Sequence, residues 1–183
     1  IGSNPYWKVP GWTVTEAIQY GADAVSVHVN IGQEGDEEML EFLGEISGDC
    51  VDWGMPLIAM MYPRGPTIES EYDPEVISHC VRIGVELGAD IIKTNYTGDI
   101  ESFKSICSNI PIPIIIAGGP KQEDLKQVYG MIAEAMQAGA SGVAIGRNVF
   151  GTTNPTISTQ IISDIVHKQL PLSKILQKYE LPK

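Results

Sequence analysis

One phrase recurs along the chain and limits its architecture more than any other feature: a helix-like stretch, a glycine followed within two residues by a small or polar one, then a short apolar run. It reads Tyr20-Gly21-Ala22-Asp23 before AVSVHV, Trp53-Gly54-Met55-Pro56 before LIAMM, Leu87-Gly88-Ala89-Asp90 before IIK, and Ala138-Gly139-Ala140-Ser141 before GVAIG. The first three glycines are 33 and 34 residues apart, and the gap of 51 between Gly88 and Gly139 holds another apolar run, IPIIIA. A glycine so placed can take the left-handed cap that ends a helix and turns the chain into a strand. Continuous apolar runs of about five residues are strands covered on both faces. Alternating strand and helix at this interval gives right-handed βα units and parallel strand pairing.

Five strands are expected, near 24–29, 57–62, 90–94, 112–117 and 142–146, in a single domain over 1–183. Pro74 to Leu87 carries an apolar stripe, with Asp73 as N-cap and Pro74 at the first helical position. Asp99 precedes a short helix, Pro155 opens another, and Pro171 begins a last one. Two architectures satisfy this pattern, an open doubly wound sheet and a (β/α)8 TIM barrel. No GxGxxG or P-loop follows any of the five strands, which weakens the nucleotide-binding sheet. Polar and glycine-rich residues instead gather just past each strand's C-terminal end, where barrel enzymes keep their chemistry. On the barrel reading these are strands four to eight, and three earlier βα units are expected outside this chain. The opening twenty residues look like a loop and an incoming helix.

Composition excludes several partners. The net charge is −11, so nucleic acid and anionic lipid are repelled, although a local nest of backbone N–H groups can still bind phosphate. Charged residues make up 19% and apolar ones 43%, the balance of a folded globular chain rather than a disordered one. Cys50, Cys80 and Cys107 are far apart without a CxxC spacing, and His28, His79 and His167 make no ligand pattern. A cytoplasmic protein with reduced thiols, no metal, no other cofactor and no membrane span is expected.

The strand ends read His28 and Asn30; Tyr62-Pro63-Arg64-Gly65; Lys93-Thr94-Asn95-Tyr96; Gly118-Gly119-Pro120-Lys121; and Gly146-Arg147-Asn148. Strand alternation puts Ile91 and Lys93 on one face and Ile92 and Thr94 on the other. A lysine facing a low-dielectric interior loses its proton more readily, and the neutral amine can bond a ketone. Taken alone, Lys93 is equally a snorkelling or ion-paired residue, and Tyr62 a ring that packs while its hydroxyl stays wet. The glycine pairs offer backbone N–H groups where barrels bind phosphate, and Arg147 adds a fixed positive charge; tight turns and a surface ion pair are the alternatives. Together, a lysine, a tyrosine and a phosphate nest indicate carbonyl chemistry on a phosphorylated substrate. A phosphate-binding isomerase without a covalent lysine stays open as a second class, and a non-catalytic binding protein as a third.

The words MMYPRG, KTNYTGD, AGGPK and GRNVF give this chain, from about Thr13 to Leu176, a strong resemblance to the archaeal-type class I aldolases. That family includes fructose-1,6-bisphosphate aldolases and 2-amino-3,7-dideoxy-D-threo-hept-6-ulosonate synthases. The resemblance implies a TIM barrel, Lys93 as the Schiff-base residue and Tyr62 as the proton donor. It also implies that Pro63 and Arg64 line the substrate pocket, and that Gly118 with Gly119 and Gly146 with Arg147 hold the phosphate of a keto-sugar. No metal or other cofactor is implied, and large homo-oligomers are. VSVHVN, with MMYPRG in place of a more aromatic version, leans toward the heptulosonate synthase and hence toward transfer onto aspartate semialdehyde in aromatic amino-acid synthesis. The family's Asp-His-Gly word at the end of its first strand has no counterpart here, so the chain alone is expected to be incomplete as a catalyst.

Overall fold

A computed structural model describes residues 5–179 and divides them into two compact units. The first holds the residues up to Thr94 together with Ile110–Pro113; the second holds Asn95–Asn109 and the residues from Ile114 on. The first unit runs α1 (Val14–Gln19), β1 (Val25–Ile31), α2 (Asp36–Trp53), β2 (Leu57–Pro63), α3 (Pro74–Glu86) and β3 (Ile91–Thr94). The second runs α4 (Ile100–Ser108), β4 (Ile114–Ala117), α5 (Leu125–Gln137), β5 (Gly142–Ala144), α6 (Arg147–Phe150), α7 (Pro155–Lys168) and α8 (Leu172–Lys178).

All five expected strands form, with shifted ends. The fourth starts at Ile114 rather than 112, behind Pro111 and Pro113, which have no N–H to give a ladder. The fifth ends at Ala144 rather than 146, because Gly146 already caps α6. β1 lies longer than expected, to Ile31, and pairs in parallel with β2 along its whole length. β2 pairs in parallel with β3, and in the second unit β4 with β5. This is the α/β pattern that the spacing of glycines and apolar runs called for.

Helix starts follow local chemistry. Asp73 accepts from the N–H groups of Glu75 and Val76, with Pro74 supplying a helical φ at no hydrogen-bond cost. Asp99, Asp124 and Asn154 cap α4, α5 and α7 in the same way, and Thr13 with Glu16 makes a capping box on α1. At the other end of α3, Gly88 takes φ +89°, the left-handed turn that delivers the chain into β3.

In the first unit, one face of β1–β3 packs on helices. Val27, Val29, Ala59, Met61 and Ile92 are buried there with Met39, Leu43 and Ile46 of α2 and Ile77, Cys80 and Val81 of α3. Each fully covered large side chain contributes about 1.5–3 kcal/mol relative to exposure. Gly84 lets α3 approach, since a Cβ there would stand 2.6 Å from Ile92 Cδ1 and 2.9 Å from Met61 Cγ. The second unit buries Val128, Tyr129 and Ile132 of α5 with Ile161 and Ile165 of α7 and Ile175 of α8. Buried Asp164 ties α7 to the chain end, accepting from Lys178, from Lys168 and from the Tyr179 hydroxyl. Among the described residues, no helix is long and apolar enough to cross a membrane.

Candidate active site

The face of β1–β3 turned away from those helices carries the reactive side chains. Register aligns His28 with Met60 and Met60 with Lys93, and one step further aligns Asn30 with Tyr62. Neighbours in register on parallel strands project to the same side, so His28, Met60 and Lys93 form a row, and Tyr62 stands one pleat beyond it. Strand spacing puts the Tyr62 backbone about 8 Å from that of Lys93, within reach of two long side chains meeting one small molecule. Burial alternates accordingly: Ile92 and Thr94 are covered, Ile91 and Lys93 only half so.

Lys93 shares the half-buried face with Ile91, as strand alternation requires. Its Nζ lies 4.0 Å from Met60 Sδ, and burial lowers its pKa from the ordinary lysine value of 10.5. Tyr62 is 6% exposed. Burial pushes its phenol up to about 12, against the opposing Arg64 guanidinium, so it stays protonated and can donate. Its ring packs against His28 at 5.0 Å between centroids, and the Arg64 guanidinium carbon stands 5.3 Å from the ring centre.

Arg64 is committed. Both oxygens of Glu71 take its Nε and Nη2 hydrogens at 2.7 Å, a bidentate pair whose charges cancel. Pro63 ends β2 buried, and Gly65 lies so close to the Gly32 carbonyl that no side chain fits. Arg64 was expected to line a substrate pocket; it lies over the Tyr62 ring and pairs with Glu71, seven residues on in a loop, a partner that nothing in the local pattern marks.

In the second unit, Gly118 follows β4 and Gly146 follows β5, and Arg147 Nη2 donates to the Gly119 carbonyl at 3.2 Å. The structure thus brings all four predicted residues of this unit into one loop cluster. Gly119 takes φ +62°, and a Cβ on Gly118 would stand 2.7 Å from Ile145 Cγ2. Asn148 is the member the prediction left out. It is 1% exposed and braces the loop from below, donating to Gly118 O at 2.7 Å and Pro120 O at 2.9 Å while accepting from the Gln122 N–H at 2.8 Å. The signal was present, an asparagine directly after the Gly-Arg pair, but its partners are contiguous only in space. Arg147 itself is exposed, and among the described residues its one bond is to a neutral carbonyl, so its charge is offered to the surroundings.

The word KTNYTGD divides by role. Tyr96 is a core residue, with its ring edge-on to Phe103 at 5.3 Å and its hydroxyl 3.3 Å from Glu134; burial first and that carboxylate second push it up to about 12. Asp99 caps α4. Only Lys93 of the seven carries a reactive group on the half-buried face. Among the described residues, no group of three or more His, Cys, Asp or Glu side chains could hold a metal ion, and all three cysteines are free thiols.

A half-buried lysine and a buried phenol on one strand face of an α/β fold are a candidate site for carbonyl chemistry, and comparison gives the family. Residues 3–152 match the DeoC/LacD family of aldolases, and the chain belongs to that family. It is 43% identical over 168 residues to 2-amino-3,7-dideoxy-D-threo-hept-6-ulosonate synthase 1 of Archaeoglobus fulgidus, covering 90% of this chain and 61% of that protein. It is 41% identical over 155 residues to 2-amino-4,5-dihydroxy-6-oxo-7-(phosphonooxy)heptanoate synthase of Streptomyces griseus, covering 85% of this chain and 57% of that protein. A solved Schiff-base-forming fructose-1,6-bisphosphate aldolase superposes with a TM-score of 0.84 at 32% identity, over 87% of this chain and 64% of its own. The chain therefore spans about three fifths of the length of these relatives.

Proposed function

We propose that this chain carries the lysine machinery of a class I aldolase or transaldolase acting on a keto-sugar phosphate. The activity it most resembles on this reading is that of 2-amino-3,7-dideoxy-D-threo-hept-6-ulosonate synthase, with transfer of a ketose-phosphate-derived fragment to L-aspartate semialdehyde at the entry to aromatic amino-acid synthesis. Its five βα units then correspond to strands four to eight of a (β/α)8 barrel.

The observation that carries this reading is the placement of Lys93 in register with Met60, one pleat from Tyr62, with burial favouring its neutral form. The neutral Nζ attacks the ketone carbon, forming a C–N bond, and the carbonyl oxygen leaves as water once protonated. The resulting iminium is an electron sink. The bond that breaks joins the carbon next to the iminium carbon to the hydroxyl-bearing carbon beyond it. Its electron pair becomes the enamine C=C as the C=N pair moves to nitrogen, and the hydroxyl of the departing fragment gives its proton to water and becomes an aldehyde. A protonated Tyr62 supplies the proton that the oxygen or carbon needs on the way, and takes one back in the reverse direction. Gly118, Gly119, Gly146 and Arg147 are assigned to the phosphate, with Arg147 as its cation. Arg64, neutralised by Glu71, is assigned to holding Tyr62 and lining the pocket with Pro63.

The test is borohydride reduction of the full-length parent in the presence of substrate. A reduced adduct on Lys93 is expected, and a protein that turns substrate over without one belongs instead with non-covalent isomerases. Cleavage of fructose 1,6-bisphosphate faster than transfer to aspartate semialdehyde would reverse the order of the two activities, a reading that the 0.84 superposition on the bisphosphate aldolase supports.

A further inference from the structure

The face that carries Lys93 and Tyr62 also carries a histidine that the chemistry above does not use. His28 opens the row His28–Met60–Lys93, and Tyr62 stands diagonal to both ends of it. The rings of His28 and Tyr62 meet at 5.0 Å and 45°. Met60 lies between histidine and lysine, with its sulfur 4.0 Å from Nζ, so His28 touches the phenol rather than the amine.

Its hydrogen positions are fixed by exclusion. The Tyr6 carbonyl can only accept, so the Asn30 atom it meets at 2.5 Å is the amide nitrogen. The other amide atom, Oδ1, then lies 2.9 Å from His28 Nε2. An amide oxygen also only accepts, so in the neutral ring Nε2 carries the hydrogen and Nδ1 the lone pair. Asn30 is fully buried and has no room to exchange these roles with water. Burial lowers the imidazole pKa; the Asn30 bond opposes this, and Lys8 on the N-terminal segment, Arg64 on the β2 end and Lys93 on β3 reinforce it. These effects together favour the neutral ring.

We propose that His28 is a positioning residue for Tyr62: fixed in the Nε2–H tautomer by Asn30, its ring sets where the phenol stands relative to Lys93. This rests on the Schiff-base reading above and adds to it a hydrogen-bonded pair, half-buried His28 with buried Asn30, whose purpose is geometry. A residue acting this way slows the steps that use the Tyr62 proton but leaves the Lys93 amine in place, so the iminium still accumulates on long incubation with substrate.

The test uses the full-length parent and its His28→Ala and His28→Phe variants. In His28→Ala, kcat falls about 10- to 100-fold with KM within about twofold, the expected cost of displacing a proton donor by roughly 1 Å. The borohydride adduct on Lys93 still forms, and His28→Phe, which keeps a ring against Tyr62, recovers most of kcat. Nitrogen NMR of the wild-type ring shows Nε2 protonated and Nδ1 bare at pH 7. Four results overturn the proposal: kcat in His28→Ala within about twofold of wild type, loss of the adduct in that variant, a Phe variant as slow as the Ala variant, or an Nδ1–H tautomer. If His28→Ala fails to fold, the Phe variant and the tautomer decide. A wild-type protein that forms no adduct sinks the Schiff-base reading itself, whereas an adduct with a fully active His28→Ala sinks only this inference.

Discussion

Two arginines stand one at a strand end in each unit, and the structure treats them in opposite ways. Arg64 in the first unit is locked to both oxygens of Glu71 at 2.7 Å and leans on the Tyr62 ring. Arg147 in the second is exposed and holds one neutral carbonyl at 3.2 Å. The surroundings differ in kind as well. The first unit presents its groups from strands, on a half-buried face where desolvation moves the pKa values of Lys93 and Tyr62. The second presents loop backbone, braced by the buried Asn148. Strands give reactive groups fixed direction and a dry setting; loops give closely spaced N–H groups and a free charge, which suit recognition of an anion. The same residue type thus serves as a structural clamp in one unit and as the candidate phosphate cation in the other.

The largest effect expected from this contrast is at Lys93. Lys93→Met removes the borohydride adduct and lowers turnover by at least ~10³-fold, measured by trapping and by steady-state rates. Tyr62→Phe follows, with kcat down about 10²–10⁴-fold, because a general acid is lost. The arginines then separate: Arg147→Gln raises KM for the phosphorylated substrate about 10- to 100-fold with little change in kcat, since one charge-assisted contact is lost. Arg64→Gln acts mainly on kcat through Tyr62. Equal KM effects from the two would break the division of labour between units. Asn148→Ala destabilises by about 1–3 kcal/mol in a denaturant titration, because a buried side chain gives up three hydrogen bonds to the partly exposed loop.

Acidity sharpens the same contrast. Because burial lowers the Lys93 pKa, the rate of adduct formation rises with pH along a limb centred below 10.5, and the amine is blocked by its proton beneath that limb. Asp164 runs the other way and concerns stability. Its carboxyl is held well below the ordinary 3.8 by bonds from Lys168, Lys178 and Tyr179, so its contribution is fully present above that value and is lost as pH falls further. Asp164→Asn therefore lowers Tm at neutral pH, and the gap from wild type closes during acid titration.

Much of the fold was legible, because glycine caps and apolar runs act over a few residues and leave a local imprint. The alternation that put Lys93 opposite Ile92 needed only the two-residue pleat. Strand ends at Ile114 and Ala144 were misjudged where a proline or an early turn overrode apolar character. The pairing of Arg64 with Glu71, the Asn148 brace and the His28–Asn30–Tyr6 chain were not legible. Each joins residues through a loop or across strands, and sequence does not record which polar group a side chain will meet.

The order of its own chain settled this protein's βα rhythm, its helix caps and which face each strand residue takes, since these depend on neighbours a few positions away. Tertiary structure alone decided that Lys93 sits against Met60 in a partly dry setting, that Arg64 is neutralised while Arg147 is not, and that His28 rests on Tyr62. Desolvation and charge pairing depend on everything within a few ångströms, and only the folded chain assembles that surrounding.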